Sequence, residues 1–124
     1  MALKTLALFG IGIVVIIGAI FYFASPSNGP GQHDEFAKCL SEKGAEFYGA
    51  FWCSHCAEQK KLFGNSIQFV NYIECSLPNR QGQFQVCIDA GVSSYPTWKF
   101  AGGKVENGVL SLAQLASITS CELQ

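Results

Sequence analysis

Charge is scarce in this 124-residue sequence, and none of it is in basic excess: eight Lys/Arg stand against nine Asp/Glu, a net charge of −1. A surface that neutralises phosphates needs a cationic face, so nucleic acid is excluded as a partner. Histidine occurs twice, and His33 has no partner ligand nearby, which makes it a solvated residue rather than a metal ligand. No internal repeat and no low-complexity tract interrupts the chain. What the sequence has in quantity is cysteine, six in all. In a reducing compartment six thiols point to metal ligation or catalysis, and in an oxidising one to disulfides, so the compartment has to be read first.

The sharpest local absence of charge is Thr5–Ala24, TLALFGIGIVVIIGAIFYFA, which holds no charged residue and no polar stripe at helical spacing. As a helix it spans about 30 Å, the thickness of a bilayer core. A cleaved signal peptide has a shorter apolar region and a small-x-small exit. Here bulky Tyr22 precedes Ala24 and Pro26 follows it, which favours a retained transmembrane anchor over residues 5–24. Lys4 flanks the run on one side, and His33, Asp34 and Glu35 follow on the other. The N-terminus is therefore expected in the cytoplasm and the rest outside it, in a periplasm or lumen. Residues 25–32, SPSNGPGQ, read as a linker that holds a domain over 33–124 close to the membrane.

That domain reads as eight elements in the order α-β-α-β-α-β-β-α. His33–Lys43 places Phe36, Ala37 and Leu40 on one helical face before Gly44, a left-handed cap. Glu46–Trp52 fits a buried strand. Cys53–Phe63 makes a helix that stops at Gly64, with Lys60 and Lys61 on its solvated face. Val70–Cys75 alternates as a strand, and Gln83–Ala90 carries Phe84, Cys87 and Ile88 at helical spacing before Gly91. Gly102-Gly103 signals a two-residue hairpin between Thr97–Ala101 and Lys104–Asn107. Ser111 and Gln114 form a capping box, Leu110 and Leu115 a hydrophobic staple, and Leu112, Leu115 and Ala116 face inward.

Chemistry concentrates in Trp52-Cys53-Ser54-His55-Cys56, where a strand hands over to a helix. First-turn amides and the positive end of the helix dipole favour a thiolate on Cys53. Trp52 and His55 flank it, and His55 is placed to hydrogen-bond or, when protonated, attract the thiolate. Stabilising the reduced form makes the disulfide a better oxidant. Cys56, one turn on, is the resolving thiol. A CxxC is also half of a zinc site, and with Cys75 and Cys87 the spacing C-x2-C-x18-C-x11-C leaves that alternative open.

Ser94-Tyr95-Pro96-Thr97-Trp98 follows, leading into the hairpin. A WCxHC at a strand-to-helix junction with a later Tyr-Pro-Thr resembles the thioredoxin superfamily. Over Phe36–Cys121 the strings FYGAFWCSHC, NYIEC, Cys87 with Gly91, and SYPTW are similar to the thioredoxin-like domain that partners bacterial and plant homologues of vitamin K epoxide reductase. The resemblance implies an α/β thioredoxin-like fold, a cis Pro96, a substrate groove bordered by Tyr95, and a structural Cys75–Cys87 disulfide. It also implies a thiol:disulfide oxidoreductase that needs no cofactor or metal, acts on exported proteins with free cysteines, and is reoxidised by a membrane quinone-linked enzyme. Cys39 and Cys121 lie outside that pattern. They are candidates for a bridge between the ends of the domain, which spacing does not fix. Thioredoxins proper also bury an acid six residues before the first active-site cysteine. Here that position is Phe47, and the adjacent Glu46 points to the opposite face. A reductase for exported proteins, as in cytochrome assembly, and a metal-delivering CxxC module are the competing functions.

Overall fold

The computed structural model describes residues 29–124. The anchor expected over 5–24 and the first part of the linker lie outside them. Among the described residues, no helix is long and apolar enough to cross a membrane.

Helix α1 (Asp34–Glu42) buries Phe36, Ala37 and Leu40, and ends where Gly44 takes a φ of 77° and donates its N–H to Ser41. This is the left-handed position the sequence reserves for glycine. Strand β1 (Glu46–Gly49) is shorter than the aromatic run suggests, because the chain turns at Phe51-Trp52 to start α2 (Ser54–Phe63). A 3-10 turn over Gly64–Phe69 leads to β2 (Tyr72–Glu74). Helix α3 (Gln85–Asp89) precedes β3 (Thr97–Lys99), β4 (Val105–Asn107) and α4 (Leu112–Thr119). The element order is the one expected, with the 3-10 turn added.

The four strands lie in the order β2-β1-β3-β4, with β1 parallel to β2 and antiparallel to β3, and β3 antiparallel to β4. This mixed sheet with helices fits the thioredoxin-like class. Phe47, Trp98, Phe63, Leu40 and Leu115 are almost fully buried in the main core. Phe47 stacks on Trp98 with ring centroids 5.0 Å apart. The capping box of α4 is complete, and the staple residues Leu110 and Leu115 are both buried.

Three local expectations are corrected. Helix α3 buries only Cys87; Phe84 and Ile88 are 41% and 53% exposed. Five residues make about one and a half turns, too few for spacing to define a face. The hairpin turn also takes in Ala101, since the Phe100 N–H reaches across to the Lys104 carbonyl and the Gly103 N–H returns to Phe100. His33, finally, is half-buried rather than solvated: its N–H donates to Ser66 Oγ at 2.9 Å, and its Nδ1 is buried.

Candidate active site

The sheet delivers the chain from β1 directly to Cys53, which caps α2. Its backbone is extended, and its Sγ accepts the Cys56 N–H at 3.2 Å. A sulfur at the N-cap receives an amide that has no partner inside the helix, and it faces the positive end of the dipole. The Cys53 thiol also faces the Tyr95 carbonyl at 3.8 Å. The Tyr95-Pro96 peptide is cis, and Pro96 is buried. Tyr95 is half-buried, with its hydroxyl taking the Gln83 amide and its ring meeting the exposed Trp52 edge-on at 6.0 Å. The Trp52 indole N–H donates to Ser76 Oγ at 2.7 Å.

Cys56, one turn into α2, is buried, and both CxxC sulfurs are free thiols. Burial, reinforced by the hydrogen bond with Cys53, pushes the Cys56 thiol up to about 12, against the Ala50 N–H and the Lys60 charge, which act to lower it. Both thiols are buried, Cys53 at the helix end less deeply than Cys56 behind it, an order that suits two roles, one sulfur meeting substrate and the other closing the ring.

His55 lies in the first turn of α2. It points to solvent with its Nδ1 3.5 Å from Glu58 Oε2, both side chains well exposed. At the second helical position the side chain projects away from the cap, toward the next turn's acid. Lys60 leaves the solvated face assigned to it and lies over the Tyr72 ring, its Nζ 3.6 Å from the centroid.

The other four cysteines form two disulfides, Cys75–Cys87 and Cys39–Cys121, separated by 12 and 82 residues. Bonded to each other, Cys75 and Cys87 are withdrawn from the four-cysteine set that a zinc site would need. Among the described residues no group of three or more His, Cys, Asp or Glu is arranged to hold a metal ion.

Two features escape sequence reasoning. Gln59, amid the charged residues of α2, is fully buried. Its Oε1 accepts the Leu110 N–H at 2.8 Å and the Trp98 indole N–H at 3.1 Å, and its Nε2 donates to the Leu110 carbonyl at 3.0 Å. It ties the CxxC helix to the start of α4. The second feature is a hydrogen-bonded pair on β2, where the Tyr72 hydroxyl donates to Glu74 Oε2 at 2.7 Å. Burial and that bond raise the Tyr72 phenol above its ordinary value. Alternation in VNYIEC puts Tyr72 and Glu74 on one face, but only the sheet register, Phe47 beside Tyr72 and Gly49 beside Glu74, brings that face under α2.

No protein-family model matches the chain. The chain is similar to the thiol-disulfide oxidoreductase LTO1 of Arabidopsis thaliana, with 44% identity over 92 residues. The match takes in 70% of this chain and 24% of that protein, so the chain spans about a quarter of its relative's length. The likeness and the CxxC geometry together support a thiol:disulfide oxidoreductase.

Proposed function

We propose that this chain is a membrane-tethered thiol:disulfide oxidoreductase of an extracytoplasmic compartment, which donates disulfides to exported proteins and is reoxidised by a membrane quinone-linked enzyme. The observation that carries the reading is the Cys53–Cys56 thiol pair at the N-terminus of α2, with Cys53 facing the Tyr95 carbonyl. Two further disulfides support an oxidising location, because such bonds persist outside the reducing cytosol. The uncharged run over 5–24 supplies the tether, and a short linker raises the effective concentration of Cys53 toward a partner in the same membrane.

In the donating reaction a substrate thiolate attacks Cys53 Sγ of the Cys53–Cys56 disulfide. The S–S bond breaks, and Cys56 leaves as a thiolate that takes up a proton. A second substrate thiolate then attacks the substrate sulfur of the mixed disulfide and expels the Cys53 thiolate. The substrate loses two electrons, and the CxxC pair holds them until the membrane partner removes them. Cys53 and Cys56 are the catalytic residues, and Tyr95 and Pro96 border the groove. Exposed Phe51 and Trp52 offer apolar surface beside the reactive sulfur, suited to unfolded segments.

Equilibration of the full chain with glutathione buffers tests the direction of electron flow. A potential of about −120 to −200 mV is expected of a donor, whereas about −270 mV would assign the chain to the reductases. Cys53→Ser should abolish disulfide formation in exported proteins, and unchanged formation would refute the donor reading.

A further inference from the structure

Cys56 is buried, and its thiol has to lose a proton each time it closes the ring and regain one each time it leaves. Phe47 stands where thioredoxins keep an acid for this purpose, so the proton must travel by another route. The structure holds one on the neighbouring strand. A Cβ built at Gly49 would lie 3.1 Å from Cys56 Sγ and 3.2 Å from the Tyr72 hydroxyl oxygen. The two groups thus border one point above a residue with no side chain, close enough to be joined through one water. Beyond the hydroxyl lies Glu74, whose Oε2 takes the phenol proton while its Oε1 is held by the Ser76 N–H at 2.9 Å and the Phe51 N–H at 3.2 Å. Lys60 covers the ring from α2.

We propose that Tyr72 relays protons between Cys56 and Glu74, with Glu74 as the positioning residue and final acceptor. This rests on the thiol:disulfide reading of the CxxC pair. In ring closure the Cys56 proton passes to the Tyr72 oxygen as the phenol's own proton passes to Glu74 Oε2. Tyr72 remains a phenol, Glu74 becomes neutral, and the Cys56 thiolate attacks Cys53 Sγ and expels the thiolate bound there. The donating direction runs the same transfers in reverse. The groups facing Cys56 are Cys53 and Lys60 from α2, the Ala50 N–H just past β1, and Tyr72 with Glu74 from β2. His55 and Glu58 face solvent, and Glu46 turns to the far side of the sheet, where it accepts the Tyr48 hydroxyl. Lys60 adds a positive charge that favours the transient thiolate.

The test uses the reduced full chain in detergent and an aromatic disulfide, 5,5′-dithiobis(2-nitrobenzoate), followed by stopped flow from about pH 6 to 10. Attack by Cys53 releases one thiolate, and attack by Cys56 on the mixed disulfide releases the second. Tyr72→Phe keeps the ring beneath Lys60, and Glu74→Gln keeps an oxygen for the two backbone amides. Both are expected to slow the second release by about 10²-fold at neutral pH, the usual worth of a positioned acid or base. The first release should be unchanged, and the deficit should close as hydroxide takes over at high pH. Slowing that is the same at every pH would mean a packing role and would overturn the relay, as would an unchanged second release. If the wild-type chain releases only one equivalent, the CxxC reading itself fails and the relay with it.

Discussion

Replacing Gln59 with leucine keeps the side chain's bulk and deletes its amide. In the structure that amide serves three buried polar groups: the Trp98 indole N–H, the Leu110 N–H and the Leu110 carbonyl. A buried polar group left without a partner costs about 1–3 kcal/mol. Three such groups, less the gain from burying a more apolar side chain, put the loss near ~4 kcal/mol. Against a total of about 5–15 kcal/mol for a domain, that is a large share. With a urea m-value of about 1.5 kcal/mol/M, the midpoint should fall by about 2–3 M. Urea titration of the full chain in detergent, followed by circular dichroism, reads this directly. A double-mutant cycle adds a second check, since Trp98→Phe removes an indole N–H that is satisfied in the wild type and orphaned once the glutamine is gone. The two substitutions should therefore couple by about 1 kcal/mol. A loss under about 1 kcal/mol, or strict additivity, would refute the view that this glutamine holds the CxxC helix in place.

Removing the Cys39–Cys121 disulfide by paired alanine substitution opens a loop of 82 residues, and should cost about 4.5 kcal/mol by loop-closure entropy. The CxxC potential in glutathione buffers should stay within about 10 mV, under the roughly 30 mV that marks a tenfold change in equilibrium, and a larger shift would show that the staple also tunes the site. The pH profile of the reduced form should carry the signature of Cys56. Burial raises its folded-state value from 9.0 to about 12, so its contribution to stability is whole below pH 9 and is lost as the pH rises toward 12. Urea stability of the reduced chain should fall through that window by about 1 kcal/mol per pH unit more than that of Cys56→Ala; equal slopes would mean that the buried thiol is not displaced.

The parts of the fold that could be read from sequence are those set by neighbours in the chain. Gly44 and the Ser111/Gln114 capping box act within one turn, and the step from strand to CxxC helix is written in consecutive residues. What stayed hidden depends on residues far apart. Gln59 looks like any surface glutamine between Glu58 and Lys60, and only Trp98 and Leu110 make it a core residue. Lys60 looks solvated until Tyr72 arrives beneath it. Phe84 and Ile88 mimic a helical face, but α3 is too short for its apolar spacing to decide which side is buried. The pairing of Cys39 with Cys121 likewise becomes readable only once α1 and α4 lie side by side.

The bond between Cys39 and Cys121 joins the first helix of the described domain to the segment just past the last. The seal ties the two ends of the described domain to each other, with the Cα atoms of Cys39 and Cys121 5.9 Å apart, so neither end can peel away while the bond is intact. The seal spans 82 residues, close to the length of the 92-residue stretch for which a relative is found, a stretch that makes up 24% of that relative.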